Sequence, residues 1–248
     1  MEEKTVKTSL KQRIIIGLIA FLLLGSTIAV YAAIVLGADI DYSKMTAAQL
    51  EKAYEVTYAE YSSVVSELSS QYFDEFSAYK TNVKAYNSTS ANSGGVVSKE
   101  LKEGTGEEVG DDYSAYYIGW CADETIFDSS FDNYEEPTSL RAPLGVTPGT
   151  LIEGWYIGTE GMKLGGIREV TIPGSLAYGD TQEICGGKNS PLKFIILAIP
   201  SDPQITQLSE KLNNIYVALS NAYAQSYSDY TNDDSANYSE SSATVEGE

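Results

Sequence analysis

Trp155 and Tyr178 are the side chains of this sequence best placed to do chemistry, and neither belongs to an acid-base pair. They stand near the two ends of GWYIGTEGMKLGGIREVTIPGSLAYG, Gly154 to Gly179, a stretch that offers no ordinary nucleophile with its base. Histidine is absent from the whole chain, which removes Ser-His and Cys-His catalysis. Two cysteines do not make the usual set of zinc ligands, so neither metal nor cofactor is expected. Two large aromatics separated by glycine turns and an apolar strand build something else: a hydrophobic pocket with an aromatic floor.

The elements that must position these two residues are short. Ile152 and Gly154 precede Trp155, so an apolar residue and an indole open a short buried helix. Gly161 to Gly166 reads as a turn, Ile167 to Ile172 alternates like a strand, and Pro173 closes it. Several such short alternating runs and one short amphipathic segment predict an α+β fold.

In wording and spacing this block resembles the FKBP-type peptidyl-prolyl cis-trans isomerases, the macrolide-binding immunophilins. LKEGTG (Leu101 to Gly106), YYIGW (Tyr116 to Trp120) and FDSS (Phe127 to Ser130) stand upstream of it, and SPLKF (Ser190 to Phe194) downstream. Alone, FDSS would be a chance match, but the ordered pieces together span residues 95–200. The resemblance implies a bent antiparallel sheet wrapped on one short helix, with the pocket between them. It implies Trp155 as the floor under a proline ring, with Tyr117, Phe127, Leu151, Ile152 and Phe194 as walls. It further implies that the Tyr178 hydroxyl meets a substrate carbonyl and that Asp128 is a polar partner at the rim, although Asp128 could equally hold a turn with Ser129 or Ser130. Proline-containing unfolded or nascent proteins are the implied substrates, and macrolides the implied inhibitors.

Two departures from the family pattern stand out. SLRAPLG puts Leu140 and Ala142 where aromatic wall positions are usual, and Leu140 is taken as part of the substrate site. After Tyr178, the run DTQEICGGKNS carries Gly186, Gly187 and Lys188 in place of Ile-Pro-Pro, which predicts a wider pocket and a looser rim. In the family fold this loop lies beside the strand that Cys121 follows, so a Cys121–Cys185 disulfide is expected, with two unpaired thiols as the alternative.

Outside residues 95–200 the signals are of other kinds. Residues 14–37 contain no charged side chain and are almost wholly apolar, and about 20 such residues span a bilayer. Lys4, Lys7, Lys11 and Arg13 precede that run and Asp39 and Asp41 follow it, so residues 1–13 are expected in the cytoplasm and the remainder outside. A cleavable signal peptide is the alternative, but its apolar part is usually only about 7–15 residues long. The expectation is a single-pass protein of a bacterial-type plasma membrane, its isomerase-like domain extracytoplasmic. The net charge of −19 argues against nucleic acid, since phosphate contacts need clustered Lys and Arg.

Residues 38–94 read as a helical stalk and linker, in the simplest case a spacer that lifts the domain off the membrane. Leu50, Tyr54, Tyr58, Tyr61, Val65, Leu68, Tyr72, Phe76, Tyr79, Val83 and Tyr86 recur at steps of three and four, and 87–95 (NSTSANSGG) reads as flexible. A second stripe, Ile205, Leu208, Leu212, Ile215, Leu219 and Tyr223, opens the region 201–248, which turns acidic and is expected to be disordered after Ser226. Neither stripe can bury itself alone, so the two helices are expected to pair, within one chain or in a homodimer. A surface for unfolded clients is the sharper alternative; the domain would then serve as a membrane-tethered chaperone or binding module.

Overall fold

The computed structural model describes residues 40–242, with side chains as far as 228. The expected cytoplasmic segment 1–13 and transmembrane span 14–37 lie outside the described residues. Among the described residues no helix is long and apolar enough to cross a membrane. In chain order the elements are α1 (Ala47–Ser77), α2 (Ser88–Ser93), β1 (Val97–Lys102), β2 (Tyr113–Trp120), β3 (Ile126–Ser129), β4 (Leu144–Val146), α3 (Glu153–Thr159), β5 (Ile167–Ile172), β6 (Leu192–Ile199) and α4 (Pro203–Ser242). The described residues divide into two compact units, one of residues Ser62–Thr206 and the other of the described residues before and after them.

In the unit Ser62–Thr206 the six strands form one antiparallel sheet in the order β1-β5-β6-β2-β3, with β4 also pairing β2. β2 is split along one edge: Tyr113 to Ala115 face β4 and Ile118 to Trp120 face β3. Its other edge pairs β6 from Ser114↔Ile199 to Trp120↔Lys193. β2 and β6 are almost entirely buried along their length. Strand side chains alternate faces, so a strand covered on both sides reads as a continuous apolar run, as LKFIILAI does.

The two covers differ. On one face Tyr113, Ala115, Val170, Ile172, Leu192, Phe194, Ile196 and Ala198 pack with Trp155 of α3. On the opposite face Tyr116, Ile118, Trp120, Ile167, Ile195, Leu197 and Ile199 pack against Phe76, with Tyr72, Phe73, Tyr79, Val83 and Tyr86 around it. The segment expected to be a stalk therefore belongs, from Ser62 onward, to the domain itself. Its apolar stripe has the back of the sheet as partner. Polar ties fix it there: Ser69 Oγ accepts the Leu140 N–H at 2.7 Å, Trp120 Nε1 donates to the Lys84 carbonyl at 3.0 Å, and Tyr86 Oη donates to the Pro191 carbonyl at 2.8 Å.

The linker expected at 87–95 also folds. Asn87 caps α2 by accepting the Ser90 N–H at 2.8 Å. Asn92 then accepts the Gly174 N–H at 2.7 Å and donates to the Asn189 carbonyl at 3.0 Å. Polar composition had suggested flexibility; these capping and docking bonds use the same polar side chains to order the segment.

In the other unit the early part of α1 and the later part of α4 share a small core of Leu50, Ala53 and Ile215, with Val56, Ala218, Leu219 and Ala222 beside it. The two stripes do pair here within one chain. Thr46 and Gln49 form a capping box that starts α1. α4 continues to Ser242 rather than ending near Ser226, and no glycine or proline interrupts it after Pro203.

Candidate active site

α3 is seven residues long and sits unusually close to β5. A Cβ on Gly154 would meet Ile172 Cγ2 at 2.2 Å, and one on Gly158 would meet Val170 Cγ1 at 2.3 Å. Four residues apart, these glycines share the face of α3 that lies on the sheet and let the helix settle there. Trp155, between them, is thereby driven into the sheet face and is only 2% exposed.

The indole is locked by hydroxyls. Trp155 Nε1 donates to Tyr113 Oη at 2.9 Å, Tyr113 Oη donates to Thr159 Oγ1 at 3.1 Å, and Thr159 Oγ1 donates to the Trp155 carbonyl at 3.0 Å. With its N–H spent internally, the ring offers apolar surface to a ligand. Other aromatics stand around it edge-on. Tyr117 and Phe194 meet Trp155 at centroid distances of 5.8 and 5.3 Å, and Phe127 meets Phe194 at 5.6 Å with the rings perpendicular.

Between α3 and the sheet these side chains enclose a pocket of about 390 Å³. Its lining is Tyr117, Phe127, Asp128, Leu144, Thr150, Leu151, Ile152, Trp155, Tyr178 and Phe194. Residues expected from four separate stretches of sequence thus meet at one cavity. Leu140 does not. It is buried on the opposite face with Phe76 and Phe131, because its bridge to Phe131 turns its side chain to the back of the sheet. Ala142 is likewise absent from the lining, and the non-aromatic wall residue from SLRAPLG is Leu144. Leu144 and Thr150 were not expected. Only the pairing of β4 with β2 brings Leu144 opposite Ala115, and nothing local to its sequence says so.

Polar groups gather on one side. Tyr117 Oη donates to Asp128 Oδ2, and the Arg141 guanidinium lies 3.1 Å from Asp128 Oδ1 while also donating to the Ser129 carbonyl. Asp128 also accepts the Ser129 N–H at 2.8 Å, so it holds its own turn as well as the tyrosine. Burial, reinforced by the Asp128 charge, raises the Tyr117 phenol above its ordinary value; the same two causes, in the same order, raise Tyr178. Both are neutral hydroxyls near pH 7. The Tyr178 hydroxyl makes no hydrogen bond among the described residues and is available to a ligand.

The loop that follows Tyr178 is tied down at several points. Cys185 is joined to Cys121, just beyond the end of β2, by a disulfide with Cα atoms 5.3 Å apart. Thr181 Oγ1 donates to the Tyr178 carbonyl at 2.6 Å, and the Asn189 N–H donates to the Gly179 carbonyl at 2.7 Å. Covalent and hydrogen-bonded ties stand where prolines would stiffen the chain.

A sequence profile described as FKBP-type peptidyl-prolyl cis-trans isomerase matches residues 104–198. An FK506-binding protein of Neisseria meningitidis serogroup B is 41% identical over 90 residues, which is 35% of this chain and 76% of that protein. One from Streptomyces anulatus is 39% identical over 101 residues, 40% of this chain and 77% of its own length. The crystal structure of AtFKBP13 aligns at 30% identity over 43% of this chain and 93% of that one, with a TM-score of 0.34. An aromatic pocket without acid-base machinery, and relatives matched over three quarters of their length, lead to one conclusion: this chain belongs to the FKBP-type peptidyl-prolyl cis-trans isomerases.

Proposed function

We propose that this isomerase turns X-Pro bonds in the pocket floored by Trp155, and that it does so outside the plasma membrane, on unfolded or nascent exported proteins. One observation carries the catalytic part: an indole with its N–H engaged internally, boxed by aromatic edges, beside a free tyrosine hydroxyl.

The chemistry asks little else. An X-Pro bond favours trans by only about 0.5–1 kcal/mol, yet isomerises over tens to hundreds of seconds. Its barrier is amide resonance, which places charge on the carbonyl oxygen. Twisting the bond removes that resonance, so the twisted amide is less polar and better matched to an apolar pocket. Trp155 supports the proline ring, Tyr117, Phe127, Leu151, Ile152 and Phe194 exclude water, and Tyr178 orients the neighbouring carbonyl. Asp128 orders Tyr117 from the rim. A 10⁴-fold acceleration needs only about 5–6 kcal/mol of such differential stabilisation. The same apolar floor suits macrolides as inhibitors. A protease-free assay following cis-trans relaxation of an Ala-Leu-Pro-Phe anilide tests this part. Relaxation no faster than in buffer ends it.

The placement rests on the apolar run 14–37 with its basic N-terminal flank, and on a disulfide of the kind that persists in oxidising compartments. Protease added to right-side-out vesicles should digest the domain. Protection until lysis reverses the orientation.

A second reading, a client-holding chaperone, is favoured by the exposed aromatics of the helical unit. Tyr54 and Tyr58 stack at 6.0 Å on α1, and Tyr216, Tyr223 and Tyr227 are exposed on α4. Replacing Tyr54 and Tyr58 by serine should then weaken suppression of citrate synthase aggregation while peptide turnover stays unchanged. Equal suppression by that variant removes the reading.

A further inference from the structure

The pocket wall formed by Thr150, Leu151 and Ile152 sits on a loop, between β4 and α3, and one side chain holds that loop. Tyr156 Oη accepts the N–H of Thr150 at 3.0 Å and that of Leu151 at 2.9 Å, and donates to the Thr147 carbonyl at 2.7 Å. A phenol oxygen has one proton to give and two lone pairs to receive, so these bonds use its full capacity. Tyr156 does not line the pocket; it follows Trp155 on α3, whose own seat on β5 is set by Gly154 and Gly158. Floor and wall therefore hang from consecutive residues of one short helix.

We infer that Tyr156 is a positioning residue for the isomerisation: it fixes the wall at 150–152 relative to the Trp155 floor. A pocket that works by fitting a twisted amide and excluding water depends on where its walls stand. A wall that swings away admits water and loses the fit, even with every lining residue intact. The inference rests on the pocket being the site of turnover.

The test is Tyr156→Phe in the full chain, which keeps the ring and removes all three bonds. Turnover is normalised to the folded fraction, and amide hydrogen exchange is read alongside. Expected are at least tenfold faster exchange at Thr150 and Leu151, unchanged exchange in β2 and β6, and about a tenfold fall in kcat/KM. A tyrosine that merely stabilises the fold would lower Tm and leave turnover per folded molecule intact; that result overturns the inference. So does unchanged exchange at the two amides. Should Tyr156→Phe fail to fold, Gly149→Ala decides. Gly149 has φ of 80° and open space around it, so an alanine there strains the same loop while the Tyr156 hydroxyl is retained. A fall in turnover is expected, and unchanged turnover by folded Gly149→Ala overturns the inference. A wild-type protein without turnover is a different failure: it sinks the pocket's activity, and this inference with it, whatever the exchange shows.

Discussion

The two faces of the sheet are built from the same strands and come to opposite ends. Tyr116 and Tyr117 are neighbours on β2, yet one is sealed beneath Phe76 and Tyr72 while the other stands at the pocket with its hydroxyl on Asp128. The back face is closed by a long helix whose rings fill it. The front face is covered by a helix of seven residues, too short to close it, and the shortfall is the pocket. The closed face stabilises, and the open face keeps aromatic surface for a ligand. The profile match at 104–198 does not extend to the residues of α1 that seal the back.

If that division of labour holds, the largest effect on stability comes from the back. Phe76→Ala should cost about 3–5 kcal/mol, as truncation of a fully buried aromatic does, while KM of the remaining folded protein stays within twofold. Chemical denaturation and peptide kinetics check the two halves. A large KM change would show that the faces are coupled.

The disulfide should rank next. Cys121 and Cys185 are 64 residues apart in sequence, and opening the bridge should lower stability by about 4 kcal/mol in chain-entropy terms, less if the loop stays ordered in the unbridged state. Comparing denaturation midpoints with and without a reductant measures it, with Cys121→Ser/Cys185→Ser as the insensitive control.

On the front face, Trp155→Leu should be gentler on folding but should lower kcat/KM tenfold or more, about 1.4 kcal/mol. Turnover that survives in a folded Trp155→Leu protein would place the site elsewhere.

The smallest effect sharpens the comparison most. The Tyr116 hydroxyl is buried without a partner, so Tyr116→Phe should leave turnover alone and be neutral or stabilising by about 1 kcal/mol. Tyr117→Phe should instead lower turnover severalfold. Both phenols are raised above the ordinary value of 10.0, Tyr116 by burial and then the neighbouring Tyr72, Tyr117 by burial and then Asp128. A raised folded value means their stabilisation is complete below pH 10 and is lost as pH rises through the folded values. Tm should therefore hold through neutral pH, where no histidine titrates, and fall above pH 10. Tyr116→Phe should soften that alkaline fall. An identical alkaline limb in wild type and Tyr116→Phe would assign it to other groups.

How much of this was legible differs between the two faces. Trp155, Tyr178, Tyr117 and Phe127 could be read because each lies in a short, ordered run of letters, and local runs survive translation into a list of motifs. The partner of the α1 stripe could not. Periodicity reveals that a helix has an apolar side but carries no address for what covers it, and Phe76 finds Tyr116, 40 positions further along the chain. The same gap misplaced Leu140 and hid Leu144. Which way a residue points in a strand or bridge depends on register, and shifting register by one reverses the face.

Composition alone determined that this chain has no histidine chemistry, its short alternating runs implied an α+β fold, and the resemblance carried by its ordered motifs implied an FKBP-like domain with an indole and a tyrosine in its pocket. Those properties are local or additive, and need no knowledge of distant neighbours. The tertiary structure decided that Ser62 to Tyr86 belongs to the domain, that Asn92 pins the rim, and that the Trp155 N–H is consumed by Tyr113. Each of these is a long-range pairing, and a hydrogen bond or ring contact between residues tens of positions apart exists only once the sheet has brought them within a few ångströms of one another.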